Sequence, residues 1–152
     1  MCKVPYGKKV DDRSKRDTLP YHFTLCAWAI ERESEVIETL KKKQFSSFKV
    51  SVKSISVGKG KENSLQVRFL LERNEALNEL QTYLFKRVPV SYYHPDCFQF
   101  HITVYCDKDH EKIYKMQEIL NRNFTPFELE VKKFGLFEIY PAKKVLEILC
   151  SQ

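Results

Sequence analysis

Apolar residues recur along this chain in two rhythms, every second position and every third or fourth. The switches between them set out the elements. Residues 1–17 show neither rhythm. They are dense in charge (Lys8, Lys9, Asp11, Asp12, Arg13, Lys15, Arg16) and predict a polar lead-in with room for a short strand near Lys3–Tyr6. Leu19–Ile30 alternates at Tyr21, Phe23 and Leu25, then runs continuously apolar from Cys26, the pattern of a strand entering a sheet interior. Glu33–Phe45 places Val36, Ile37 and Leu40 at helical spacing, acids first and Lys41, Lys42 and Lys43 last, the charge order that suits a helix dipole. The three lysines read as a solvated helix end.

Alternation returns at Phe48, Val50, Val52, Ile55 and Val57 and again over Leu65–Leu71. The glycine-rich stretch Gly58–Asn63 between them predicts a hairpin turn. A second helix, Asn74–Arg87, carries Ala76, Leu77, Leu80 and Leu84 on one face and stops before Pro89. A loop, Ser91–Pro95, leads into a strand over Cys97–Cys106. A helix over Asp109–Phe124 follows, with Asp107 or Asp109 as its cap. Phe127–Phe137 and Lys144–Cys150 complete a last hairpin across Glu138–Lys143.

Laid over itself at a shift of 79 positions (101 − 22), the chain superimposes Ile37 on Met116, Leu40 on Ile119, Phe45 on Phe124 and Phe48 on Phe127. Val50 meets Leu129, Val52 meets Val131, Ile55 meets Phe134, Val57 meets Leu136, Val67 meets Leu146 and Phe69 meets Ile148. The reading is an α+β, internally duplicated domain over 18–152, with half-repeats of about 18–90 and 91–152. Duplicated units pack about an approximate two-fold axis, which predicts that equivalent strands meet at a central cleft.

Polar residues also stay in register. Tyr21-His22-Phe23-Thr24-Leu25 falls on Phe100-His101-Ile102-Thr103-Val104. On a strand, His and Thr at i and i+2 share one face, and Tyr21, Phe23 and Leu25, like Phe100, Ile102 and Val104, form the buried other. A single His-x-Thr is more often a packed histidine beside a β-favouring threonine. Two copies at equivalent positions of a repeat point to chemistry, with His22, Thr24, His101 and Thr103 as candidate catalytic residues. His94, in an aromatic loop, and His110, at a helix start, lack that context. Gly58-Lys59-Gly60-Lys61 has neither Walker spacing nor a following helix, so a hairpin turn is the better reading. No G-x-S-x-G elbow occurs and no His/Cys/Asp cluster has metal-ligand spacing, so no metal and no cofactor are expected.

Composition changes the picture only slightly. With 152 residues, 43% hydrophobic and 30% charged, the chain is ordinary for one globular domain. A formal charge of +6 favours polyanionic partners, nucleic acid foremost. Cys2, Cys26, Cys97, Cys106 and Cys150 form no CxxC pair, and an odd count argues against a disulfide framework and for a reducing, cytoplasmic compartment. Cys26 shares a face with Thr24 and reads as a packed thiol. Neither a signal peptide nor a membrane span is predicted. A monomer is expected, with the chain able to form part of a larger polypeptide.

The paired motifs His22-Phe23-Thr24-Leu25 and His101-Ile102-Thr103-Val104 resemble those of the 2H phosphoesterase superfamily, over nearly the whole chain from Leu19. Its compact length and close repeat spacing look most like the viral 2′,5′-oligoadenylate phosphodiesterases. The resemblance implies a bilobal fold, two antiparallel β-sheets facing a central cleft with helices outside. It also implies a 2′,5′-phosphodiesterase that cleaves 2′-5′-linked oligoadenylate and so antagonises the host antiviral RNase L pathway. Cyclic phosphodiesterase or 2′-5′ RNA ligase chemistry on RNA-processing ends is an alternative, and a non-catalytic RNA-binding module is another.

Histidine suits the proton transfers because its unperturbed pKa lies near neutrality. The 3′-hydroxyl would attack phosphorus and the 5′-oxygen would leave, while Thr24 and Thr103 donate to the non-bridging oxygens. Near-symmetry leaves base and acid unassigned. Adenine stacking would fall to Tyr92, Tyr93, Tyr105 or Tyr140, and phosphate contacts to Lys59, Lys61 or Lys143. For each of these, an ordinary loop aromatic or surface lysine is an equal alternative.

Overall fold

Three amphipathic segments become helices where the sequence places their apolar faces. The computed structural model describes residues 21–89, 99–138 and 143–152; the predicted lead-in over 1–17 and loop Ser91–Pro95 lie outside the described residues. Helix α1 (Glu33–Lys41) follows a 3-10 turn at Ile30–Arg32 and buries Val36 and Leu40. It ends short of the predicted Phe45, whose ring is in the core while its carbonyl accepts from the Ser151 amide at 2.8 Å. Helix α2 (Glu75–Arg87) starts at Asn74, whose side chain accepts from the Leu77 amide at 2.9 Å. Helix α3 (His110–Asn121) starts at Asp109, which accepts from Glu111 and Lys112.

The strands are β1 (Phe48–Lys59), β2 (Leu65–Leu71), β3 (His101–Asp107), β4 (Phe127–Val131), β5 (Lys133–Glu138) and β6 (Lys143–Leu149). They form a four-stranded sheet in the order β3-β2-β1-β4 and a two-stranded sheet β5-β6, with every ladder antiparallel. The fold is α+β. The β1–β2 turn is tighter than the glycine pattern predicts. Glu62 and Asn63 take the left-handed conformation, the Ser64 amide bonds the Lys61 carbonyl at 2.9 Å, and β1 runs on through Gly58.

Three predicted strands are revised. Phe127–Phe137 is broken at Lys132 into β4 and β5, which belong to different sheets. The predicted Leu19–Ile30 strand is, over 21–29, an extended segment held by isolated bridges, because its backbone runs beside other elements without a continuous ladder. Tyr21, expected to be buried, is largely exposed. The predicted Cys97–Cys106 strand begins its ladder at His101, Cys97 lying outside the described residues.

The ladder registers match under the shift of 79. Along β1–β2, Ser54 pairs with Leu70, Ile55 with Phe69, Ser56 with Arg68 and Val57 with Val67. Shifted by 79, these become Lys133–Leu149, Phe134–Ile148, Gly135–Glu147 and Leu136–Leu146, the pairs found along β5–β6. Between β1 and β4, Val50 lies opposite Leu129, its own counterpart, and Phe48–Val131 and Val52–Phe127 exchange under the same shift. The irregularity of β1 between Val52 and Ser54 falls at Lys53, and the break between β4 and β5 falls at its counterpart, Lys132.

Among the described residues, two apolar clusters form the core. Val36, Leu40, Phe45, Leu80, Leu84 and Val88 join α1 and α2 to the inner residues of β5–β6. Val50, Val52, Leu71, Leu77, Phe100 and Ile102 lie under the four-stranded sheet. Helix α2 supplies Leu77 to one and Leu80 and Leu84 to the other, so it ties the two together.

Candidate active site

Strand β3 presents the second motif. Phe100 and Ile102 are buried, and Val104 packs beside them, so the alternation turns His101 and Thr103 to the opposite face. The ladder with β2 sets Leu70 opposite His101 and Arg68 opposite Thr103. His101 Nδ1–H donates to the Gln99 carbonyl at 3.0 Å, which in the neutral ring leaves the lone pair on Nε2. Burial holds the His101 pKa below its ordinary value. The Gln99 carbonyl opposes that shift, and the charges of Arg68 and His22 add to it.

Residues 21–29 bring the first motif to the same place. Phe23 and Ile102, the central residues of the two motifs and counterparts in the repeat, form an antiparallel bridge. In antiparallel geometry this sets position 22 opposite 103 and position 24 opposite 101, all on the side away from Phe23 and Ile102. The Phe23 ring meets Phe100 edge-on at 6.1 Å. His22 is exposed, while Thr24, His101 and Thr103 are half-buried, so the quartet reaches solvent. Helix α2 fixes the segment further along: Gln81 Nε2 donates to the Leu25 carbonyl at 3.0 Å, and the Trp28 indole donates to the Val88 carbonyl at 3.3 Å.

Two imidazoles, one exposed and one half-buried, thus lie on the same side of a bridged pair of segments, each at a position opposite the threonine of the other motif. No protein-family model matches this chain, and no curated protein does.

The other candidates disperse. Tyr92, Tyr93, Tyr140 and His94 lie outside the described residues. Tyr105 follows a bulge at Val104 that skips one position, leaving it opposite the fully buried Val67, with its hydroxyl donating to Asp107 at 3.1 Å near the start of α3. It is not on the His101/Thr103 face. Lys59, Lys61 and Lys143 are exposed at the hairpin ends. His110 Nε2 bonds the Asn63 carbonyl at 3.1 Å and ties α3 to the β1–β2 turn. The Cys26 thiol is pushed up to about 12 by burial, as expected of a packed residue. Among the described residues, no group of His, Cys, Asp and Glu gathers as a metal site, and no helix is long and apolar enough to cross a membrane.

Several polar residues around the motifs escape a reading by sequence. Gln66 accepts from Thr103 Oγ1 at 3.4 Å and from Arg68 at 2.8 Å. Gln81, 2% exposed on the apolar face of α2, also accepts from Arg73 at 3.0 Å, and the Arg73 guanidinium lies 4.8 Å over the Phe100 ring. A polar Gln amid Leu77, Leu80 and Leu84 is a visible signal that something must satisfy it. Gln66 and Arg68 become informative only once β2 is known to lie beside β3.

Proposed function

We propose that this chain is a metal-independent 2′,5′-phosphodiesterase acting on short 2′-5′-linked oligoadenylates, with His22 and His101 as its acid-base pair. The observation that carries the reading is the Phe23–Ile102 bridge, which makes the two His-x-Thr motifs neighbours. A non-catalytic RNA-binding module has no use for paired imidazoles. The shared registers of the β1–β2 and β5–β6 hairpins favour an ancestral half-domain duplicated about a two-fold axis, with a bilobal arrangement and the cleft at the motifs. The free thiols of Cys26, Cys106 and Cys150 suit a cytosolic setting.

The two histidines divide the work by environment. His101, biased to the neutral form and with its Nδ1 proton committed to Gln99, is the base: Nε2 takes the proton of the ribose 3′-hydroxyl. The oxygen attacks phosphorus, the bond to the 5′-oxygen breaks, and His22 supplies that oxygen's proton. The products are a 2′,3′-cyclic phosphate and a 5′-hydroxyl. Thr24 and Thr103 donate to the non-bridging oxygens, where negative charge builds, each contributing about 2–4 kcal/mol. Both proton transfers belong to side chains, so the reaction proceeds in chelator. Destroying 2′-5′ oligoadenylate would silence the RNase L response of a host cell.

The test is incubation with 2′-5′ and 3′-5′ diadenylate in EDTA, with products resolved by chromatography. Selective cleavage of the 2′-5′ isomer to the cyclic phosphate is the expected result. Turnover confined to preformed cyclic phosphates, joining of RNA ends, or no turnover at all overturns the reading.

A further inference from the structure

Arg68 stands on the same sheet face as the second motif. It is directly opposite Thr103 on β3 and Ser56 on β1, within range for its charge to act on His101. Its guanidinium does not extend away from the sheet. It lies flat over Gly58, where a Cβ would fall 2.3 Å from Cζ. It is braced there by Nη2 donating to the Lys59 carbonyl at 2.6 Å and by Nε and Nη2 donating to Gln66 Oε1 at 3.1 and 2.8 Å. Gln66 Oε1 in turn accepts from Thr103. In register around this group stand Ser54, Ser56 and Gly58 of β1 with Thr103 of β3, a floor of small side chains. Gly58 has no positive φ, and the three atoms nearest to an added Cβ all belong to the guanidinium, the group a larger side chain there would displace.

We infer that Arg68 is a substrate-holding residue of this site, a fixed cation that Gly58, Gln66 and Lys59 pre-set to grip the internucleotide phosphate beside Thr103 and His101. The inference rests on the phosphodiesterase reading. A planar guanidinium gives directed hydrogen bonds to phosphate oxygens, and one immobilised before binding loses little entropy in making them. The half-repeats differ here: the counterpart of Arg68 is Glu147, an exposed carboxylate paired with Lys133 and Lys144. A cation at 68 with a carboxylate at its counterpart 147 makes the site directional, drawing the phosphate toward the His101 half.

The experiment compares Arg68→Ala, Arg68→Lys, Gly58→Ala and the Gly58→Ala/Arg68→Ala double variant, using 2′-5′ diadenylate as substrate and thermal melts as the control on folding. Arg68→Ala should lower kcat/KM about 100-fold, the loss of one charge-assisted contact. Arg68→Lys should recover part of it. Gly58→Ala, which displaces the guanidinium, should lower kcat/KM in the natural background and change nothing once Arg68 is Ala. His101 is faced by Arg68 from β2 and by His22 from the bridged segment. Removing the first charge should therefore move the acid limb of kcat/KM to higher pH in Arg68→Ala and leave it in place in Arg68→Lys.

Wild-type turnover by Arg68→Ala, or a loss that only tracks melting temperature with an unmoved acid limb, overturns the inference and leaves Arg68 a brace for the hairpin. Binding of 2′-5′ diadenylate to His22→Ala, with and without Arg68→Ala, keeps this separate from the catalytic assignment. Equal affinity refutes the role of Arg68 whatever the histidine variants do in turnover. Active His22→Ala and His101→Ala variants refute the phosphodiesterase mechanism instead.

Discussion

His101 and Thr103 sit in β3 with ladder partners on β2, whereas His22 and Thr24 lie in a segment that meets β3 through the Phe23–Ile102 bridge. Helix α2 steadies that segment at two points: Gln81 donates to the Leu25 carbonyl, and the segment's own Trp28 indole donates to the Val88 carbonyl at the helix end. The same pentapeptide pattern is thus held by a continuous ladder in one place and by isolated bridges with side-chain hydrogen bonds in the other. In the proposed reaction the difference separates the two proton transfers. The sheet-borne histidine is half-buried, its tautomer fixed and its pKa lowered, as a base requires, while the clamp-borne histidine is exposed.

The largest effect that tests this comparison is loss of either ring. His22→Ala and His101→Ala should each reduce cleavage of 2′-5′ diadenylate by about 10²–10⁴-fold, with circular dichroism and melting close to the parent. Unequal pH responses sharpen it: the acid limb of kcat/KM belongs to His101 and should disappear from the residual rate of His101→Ala alone. The hydroxyls come next. Thr24→Val and Thr103→Val should each lower kcat by about 10²–10³-fold with KM little changed, measured by steady-state kinetics.

Much of this frame is legible in the chain. The alternation over Leu65–Leu71 is β2, Asp109, one of the two caps predicted for the third helix, is its cap, and the shift of 79 that aligns the motifs also aligns the hairpin registers. These are local signals, or repetitions of them, and they need no knowledge of neighbours. Illegible features all depend on a partner strand. Whether 21–29 earns a ladder is decided by the elements beside it, and the break at Lys132 by two sheets competing for one run of residues. A bulge at Val104 turns Tyr105 toward α3 against simple alternation. Arg68 reads as an ordinary strand cation until Thr103 is seen opposite it.

The two anchoring modes can be separated by weakening the side-chain clamp. Gln81→Leu keeps the bulk of a buried residue but removes both of its hydrogen bonds, leaving the Leu25 carbonyl and Arg73 with one partner fewer. The expected cost is about 1–3 kcal/mol in denaturant titrations, with faster amide exchange over 22–28 and a fall in kcat. Amides of β3 should keep their protection. Equal loosening of both motifs would mean that the first is held by something other than α2.

The smallest effect is the pH dependence of stability carried by the sheet-borne ring. The folded pKa of His101 is lowered, so the unfolded chain binds the proton more readily. Its contribution is neutral well above the unfolded value of about 6.5 and turns against folding as pH falls through that value, reaching its full extent below the folded pKa. Melting between pH 8 and pH 5 should therefore show a decline that His101→Gln shallows. His22→Gln, which removes one of the charges that lower the His101 pKa, should shallow it less. Equal slopes in both variants would place the two imidazoles in the same environment and remove the basis for assigning base and acid.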